Sequence, residues 1–303
     1  MRKNVTKKYL KILCEKFPHL TFLVKEKFKS HTSFGIGGKI AIYVEIERAS
    51  DMVMLVREIK RLNLKYFILG LGSNILASDK FHDMLVIKNN IKDIRLCGDK
   101  IICGAGVGLV RLNNFAMGNA LTGLEWSYGI PGSVGGAVKM NSGSFGGEMK
   151  DVVQTVYFFD GEKLRKKCLA NLEFSYRHSF FSDKNYVILK VVFKLEKGEK
   201  DEIERKSFDV LKKRRECQPH NYKSAGSVFK RPKDTFAPVL IEGSGLKGLV
   251  KGGAEISTKH CGFIVNKSGN AKFNDVFWII CKIKETVFKK YGIMLVEEVE
   301  ILK

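Results

Sequence analysis

The stretch that decides how this chain is read is GIPGSVGGAVKMNSG, Gly129–Gly143. Its fifteen residues hold five glycines, one proline and no carboxylate. Main chain without Cβ atoms can lie very close to a ligand, and successive N–H groups can converge on an anion. A purely structural loop rarely needs so many glycines, so the run reads as a phosphate cradle suited to a pyrophosphate. A second cluster, LGLGSN at Leu69–Asn74, follows the apolar strand formed by Tyr66, Phe67, Ile68 and Leu69. It lacks the third glycine of a GxGxxG turn and no helix pattern opens after it, so alone it reads equally well as a structural turn. Two such loops in one chain suggest a dinucleotide held from both sides.

Around these loops the periodicity mixes helices and strands without strict alternation, which gives an α+β class. Residues 1 to 20 read as a lysine-rich, peripheral helix. The stretch from His31 to Glu47 is strand-like, broken by Gly35, Gly37 and Gly38. Ser50 is expected to cap a helix carrying Asp51 in its first turn, with Met52, Val53, Leu55, Val56, Ile59 and Leu62 as its apolar face. Strands are expected near residues 84–87, 101–103, 152–159 and 186–193, with a helix over 110–119. The charged segment 197–206 reads as a linker or an exposed helix start. A long helix over 275–291, capped by Asn274 and ended by Gly292, carries Val276, Phe277, Ile280, Ile283, Val287, Phe288 and Tyr291 as its stripe. A final strand spans 294–302.

Composition bounds the function. The 303 residues are 45% hydrophobic and 28% charged, an ordinary globular balance large enough for two or three domains. No apolar run reaches the roughly 18 residues of a membrane span, and the basic N-terminus has no continuous apolar core of a signal peptide, so a cytoplasmic protein with no membrane partner is expected. Seven cysteines lie singly, with no CxxC pair, and six histidines lack ligand spacing. Neither a metal nor a disulfide framework is expected, and the thiols read as reduced and mostly buried. The net charge of +21 comes from 41 lysines and 12 arginines spread along the whole length. Nucleic-acid binders concentrate charge in stripes interleaved with aromatics, so no nucleic acid is expected, and a basic nucleic-acid-binding protein stands only as an alternative. A positive field would steer anionic ligands toward the protein.

Three stretches carry reactive side chains in unusual settings. FSYRHSFF places Arg177 among aromatics, either packed on rings at the surface or as a fork for a carboxylate or phosphate. NYKSAGSVFKRP places Ser227 after a glycine with Lys230 and Arg231 close by; most such serines bond only the local backbone. LVEEVEIL carries Glu297, Glu298 and Glu300, and strand alternation puts Glu298 and Glu300 on one face. Nothing in the residues alone selects Glu298. A hydrolase triad of Ser227 with His220 fails for want of a GxSxG elbow.

Taken in order, HTSFGIGG (His31 to Gly38), ILGLGSNIL (Ile68 to Leu76), GLEWSYGIPGSVGGAVKMNSGSFGGE (Gly123 to Glu148), YRHS (Tyr176 to Ser179), SAGSVFKRP (Ser224 to Pro232), GLKG with GGAEIS and FIVN (Gly245 to Asn266) and LVEEV (Leu295 to Val299) closely resemble the MurB family of UDP-N-acetylenolpyruvoylglucosamine reductases, in its shorter type II form. The match covers about residues 30 to 302. The resemblance implies a PCMH-type FAD-binding fold of two subdomains, residues 21–90 and 91–196, after an N-terminal helix at 1–20, with a C-terminal α+β substrate-binding domain at 197–303. It implies non-covalent FAD held by Leu71, Gly72, Ser73, Asn74, Gly106, Gly129, Ile130, Pro131, Gly132, Ser133, Gly135 and Gly136. NADPH would reduce the flavin, which would reduce UDP-N-acetylglucosamine enolpyruvate to UDP-N-acetylmuramate in peptidoglycan precursor synthesis. Ser227 would be the proton donor, and Arg177 and Glu298 would polarise the substrate carboxylate. Tyr176, Arg215, Arg231 and Lys247 fall where the family contacts the UDP-sugar, and a monomer is expected. Another PCMH-type flavin oxidoreductase is an alternative that the SAGSVFKRP and LVEEV motifs disfavour. Two departures stand out: Phe145 where the family commonly has tyrosine, and APVLIE at Ala237–Glu242 with Pro238 tolerable only in a first helical turn.

Overall fold

The helix Ala49–Arg61 turns Met52, Leu55, Val56 and Ile59 inward onto a sheet, as its 3.6-residue pattern requires. The computed structural model describes residues 2–303; Met1, the first residue of the expected N-terminal helix, lies outside them. The elements are mixed α+β, and the chain groups into two compact units. The first comprises the described residues up to Val24, with Ala41–Leu71 and Asp83–Lys213; the second comprises Lys25–Ile40, Gly72–His82 and Arg214–Lys303.

The first unit holds two large sheets, besides two short two-stranded pairings. One has the order Phe22–Leu23, Ile40–Ile46, His82–Asn89, Tyr66–Leu69, the last two strands parallel with Tyr66 opposite Leu85. Val44, Ile46, Leu85 and Ile87 meet the helix Ala49–Arg61. The other is antiparallel, ordered Leu164–Cys168, Val153–Phe159, Val187–Lys194, Lys100–Gly104, Ile94–Cys97. Helix Leu109–Gly118, Trp126 and helix Val134–Lys139 cover it, packing Leu112, Val134 and Val138 on Ile101, Cys103, Val191 and Phe193.

The second unit centres on the antiparallel order Lys223–Ser227, Phe263–Asn266, Ala254–Ile256, Val250–Lys251. Helices Ala237–Gly243 and Phe273–Tyr291 close its core, which also takes Phe34, Ile36 and Leu76. Pro238 sits in the first turn of the shorter helix, where its missing N–H costs no bond. The strand Ile75–Ala77 pairs in parallel with Glu300–Leu302.

Several expectations are corrected. The N-terminal helix runs Arg2–Lys16 and is not merely peripheral: Leu13 is fully buried and Phe17 nearly so. Each such side chain stabilises the docking by about 1.5–3 kcal/mol. Residues 31–39 form no strand; the strand begins at Ile40. Ser50 lies inside its helix, whose N-cap is Arg48, and Asn274 lies inside the long helix, whose N-cap is Lys272. There Asp275, at the third helical position, reaches back to accept the Lys272 N–H at 2.9 Å, the reciprocal bond of a capping box. Phe288 and Tyr291 are exposed and Ile279 takes a place in the buried stripe. The last strand spans only Glu300–Leu302. Five cysteines, Cys14, Cys97, Cys168, Cys217 and Cys281, are exposed; only Cys103 and Cys261 are buried. No helix among the described residues is long and apolar enough to cross a membrane.

Candidate flavin and substrate site

The glycine run is folded against its own unit by main chain alone. Leu109 N–H donates to Gly132 C=O at 2.9 Å, Val134 N–H to Val107 C=O at 2.8 Å, and Gly135 N–H to Ala105 C=O at 2.8 Å. Ser133 caps the helix Val134–Lys139, its Oγ accepting the Gly136 N–H at 3.4 Å. A Cβ on Gly135 would lie 2.9 Å from the Ala105 Cβ, one on Gly106 would lie 2.6 Å from the Asn89 carbonyl oxygen, and one on Gly70 would lie 2.4 Å from Ser133 Oγ. Glycine is therefore required first by strand-close packing of Gly70, residues 105–108 and the run into one bare layer. Pro131 and Gly136 are exposed and Gly129, Ile130 and Gly132 half-buried, so peptide groups face outward over this layer. Leu71 projects beside it, 38% exposed.

In the second unit Gly72 adopts φ +67°, and a Cβ there would fall 2.1 Å from the His31 carbonyl oxygen. Any side chain would meet both left-handed strain and a rigid backbone collision. Ser73 is half-buried, and Asn74 donates from Nδ2 to the Glu298 carbonyl at 2.9 Å.

Arg177 and Tyr176 form the centre of a tight turn closed by Ser175 N–H to His178 C=O at 3.0 Å and the reverse bond at 3.1 Å. Arg177 takes φ +52°. Its Nη2 donates to the Gly143 carbonyl at 2.9 Å, and its guanidinium lies 5.0 Å from the centre of the Tyr176 ring. The structure thus brings the YRHS turn to the end of the glycine run, a juxtaposition spacing alone did not reveal. Asn141 makes the joint: its Nδ2 donates to Ser175 C=O at 3.0 Å and to Glu148 Oε2 at 2.8 Å, while its Oδ1 accepts the Lys150 N–H at 3.0 Å. Ser179 Oγ and Ser182 Oγ both donate to Lys139 C=O, at 2.6 and 2.9 Å.

Ser227 ends the strand Lys223–Ser227 opposite Phe263, after a register shift that begins past Ser224. Gly226 supplies that bulge at φ +76°, with open space where a Cβ would sit, so only the backbone angle demands glycine there. The next residue, Val228, accepts the Glu298 N–H at 2.8 Å, and Phe229 bridges Glu297. Ser227 and Glu298 are therefore brought onto adjoining main chain.

Each of the four expected substrate contacts is exposed on its own element. Tyr176 is exposed in its turn. Arg215 is exposed near the end of the helix Lys200–Cys217, its carbonyl accepting Lys259 Nζ at 2.5 Å; it borders a pocket of ≈260 Å³ with His220, Tyr222 and Lys259. Arg231 lies 5.5 Å from the centre of the Phe236 ring. Lys247 pairs with Glu242 at 2.6 Å, which raises the ammonium pKa above its ordinary value. Two residues escaped the sequence reading: Asn141, and Lys88, whose Nζ donates to the Gly70 carbonyl and whose pKa burial pushes down. The signal for Lys88 was a lone lysine in the apolar run LVIKN.

A bare peptide layer with no carboxylate in it fits a dinucleotide diphosphate, and the residues present fit FAD. Residues 40–163 match the FAD-binding domain family, and residues 218–302 match the C-terminal domain family of UDP-N-acetylenolpyruvoylglucosamine reductase. A UDP-N-acetylenolpyruvoylglucosamine reductase from Caldanaerobacter subterraneus subsp. tengcongensis is 41% identical over 282 residues, 92% of this chain and 93% of that one. Another, from Fervidobacterium nodosum, is 39% identical over 99% of this chain and 97% of its own. The crystal structure of UDP-N-acetylenolpyruvylglucosamine reductase (MurB) from Thermus caldophilus superposes with a TM-score of 0.79 at 33% identity, covering 94% of this chain and 99% of that one. With relatives this similar matched nearly end to end, the chain belongs to the UDP-N-acetylenolpyruvoylglucosamine reductase family.

Proposed function

We propose that this protein reduces UDP-N-acetylglucosamine enolpyruvate to UDP-N-acetylmuramate, with FAD resident and NADPH as reductant, in peptidoglycan precursor synthesis. The observation that carries the assignment of roles is the Gly226 bulge, which sets Ser227 one residue before the carbonyl that fixes Glu298. When bound, FAD supplies the two-electron relay between NADPH and the enol ether.

The chain's own residues do the rest. Gly72, Ser73 and Asn74, and the layer from Gly129 to Gly136 with Gly106 and Leu71, hold the cofactor through main chain and short side chains. No histidine stands in either loop, so attachment is non-covalent. Negative charge develops on the substrate carboxylate as the double bond is reduced. Arg177 offers a planar fork to that carboxylate, and one arm of the fork is anchored on Gly143. Glu298 serves as a protonated donor to the same group, because an ionised carboxylate beside another would repel it. Ser227 gives its hydroxyl proton to C2. Fixed donors aimed at developing charge contribute several kcal/mol. Tyr176, Arg215, Arg231 and Lys247 contact the UDP-sugar; residues 21–90 and 91–196 chiefly serve the cofactor while residues 197–303 cover substrate. The protein acts as a cytoplasmic monomer without nucleic-acid or membrane partner.

The test is the visible spectrum of the purified protein. Flavin bands that bleach with NADPH and return on adding the enolpyruvyl sugar are expected, with return slowed in Ser227→Ala. Colourless protein that takes up no FAD would refute the reading.

A further inference from the structure

The main chain of Glu298 is gripped from both sides. Its N–H donates to the Val228 carbonyl at 2.8 Å, and its carbonyl accepts Asn74 Nδ2 at 2.9 Å. Asn74 also uses its own carbonyl to accept the Glu300 N–H at 2.9 Å, which opens the parallel pairing of Ile75–Ala77 with Glu300–Leu302. Asn74 therefore clasps residues 298 and 300 while Val299, between them, is buried in the core. The other end of the same loop is tied as well. Ser33 donates its N–H to the Gly72 carbonyl at 3.0 Å and its Oγ to the Ser224 carbonyl at 2.6 Å, three residues before Ser227. A loop that needed only to cradle a diphosphate would not require an amide side chain spent on the main chain just before the C-terminal strand.

We propose that Asn74 is a positioning residue for Glu298: its side-chain N–H fixes the backbone from which the Glu298 carboxyl projects, and so joins the first glycine loop to the acid that meets substrate. The proposal rests on the role given to Glu298 above. Only a donor can make this bond, and aspartate, of the same shape, presents an acceptor to the carbonyl.

The variants Asn74→Ala and Asn74→Asp, in the FAD-loaded protein, separate this role from cofactor binding and from folding. Rapid mixing with NADPH follows bleaching; rapid mixing of reduced protein with UDP-N-acetylglucosamine enolpyruvate follows reoxidation. Reoxidation slowed about 10- to 100-fold, with any slowing of bleaching clearly smaller, is expected for a displaced acid. Hydrogen exchange in the apoprotein gives a second readout: faster exchange of the Glu298 and Glu300 amides, with the helix Phe273–Tyr291 still protected. Parent-like reoxidation, equal slowing of both steps, or protection lost throughout the helix as well would overturn the proposal. Glu298→Gln distinguishes the two possible failures. If Glu298→Gln reoxidises like the parent, the role of Glu298 falls and the proposal with it. If Glu298→Gln is slow while Asn74→Ala is not, Asn74 alone falls.

Discussion

Arg177 Nη2 donates to the carbonyl of Gly143, the last residue of the glycine run, at 2.9 Å. The bond joins a turn to a loop 34 residues away in sequence and aims the guanidinium from a left-handed backbone position. A lysine has a single ammonium and cannot hold Gly143 with one arm while presenting a planar fork with the other. Arg177→Lys is therefore expected to fail nearly as badly as Arg177→Ala, each lowering kcat by about 100-fold, the loss typical of one donor removed from developing charge. FAD affinity should be unchanged in both. Recovery of most of the activity by lysine in steady-state assays would show that charge alone suffices.

Two glycines at similar angles should respond differently to alanine. Gly72 at φ +67° faces the His31 carbonyl 2.1 Å from the new Cβ, whereas Gly226 at φ +76° faces open space. Gly226→Ala meets backbone strain alone, about 1–2 kcal/mol. Gly72→Ala adds a collision that the loop can relieve only by moving, so it should lose FAD binding as well as stability. Thermal melting with FAD titration checks both; equal behaviour would mean that the loop at Gly72 is softer than its packing implies.

How much of this was legible in the sequence depends on the kind of contact. The glycine run, the helix carrying Met52, Leu55, Val56 and Ile59, and the helix ending at Gly292 follow from local pattern, because periodicity and backbone angle are local quantities. The caps misled: Ser50 and Asn274 are good cap types, but each helix starts a residue or more earlier, and Asp275 reaches back to accept the Lys272 N–H. Ser227, Arg177 and Glu298 were singled out by resemblance, since a serine in a bulge and a glutamate on a strand look ordinary until Val228 is seen bonded to the Glu298 N–H. Asn141 left no signal in the sequence, and Lys88 left only its isolation in an apolar run, because their roles rest on bonds to residues distant in the chain.

The N-terminal helix is pinned by one buried carboxylate. Glu58, 2% exposed, takes Arg61 Nη2 at 2.5 Å and also Lys16. The Arg61 hydrogen bond, with help from Lys16 and against the opposing effect of burial, holds the carboxyl at about 2 rather than its ordinary 4.5. A depressed carboxyl stabilises the fold fully above its unfolded pKa, and that contribution is lost as pH falls from about 4.5 toward 2. Because both cations reach solvent and are screened, Glu58→Gln should lower the melting temperature at pH 7 by only about 2–4 °C. It should also flatten the acid limb of a stability–pH profile between those values. An acid limb as steep in the variant as in the parent would place the acid sensitivity elsewhere.

The charge of +21 should act on encounter rather than on chemistry. Both NADPH and the UDP-sugar are polyanions, and a dispersed positive field raises their arrival rate without touching the bound state. Raising salt shortens the screening length from about 10 Å at 0.1 M to about 3 Å at 1 M. Over that range kcat/KM for each substrate is expected to fall several-fold while kcat stays constant. A field used for nucleic acid would behave otherwise: duplex DNA would bind, and its affinity would drop with a steep logarithmic salt slope as phosphate counterions are released. Steady-state kinetics and a duplex titration over the same salt series distinguish the two, and an unchanged kcat/KM with salt-sensitive duplex binding would assign the lysine excess to a partner other than the substrates.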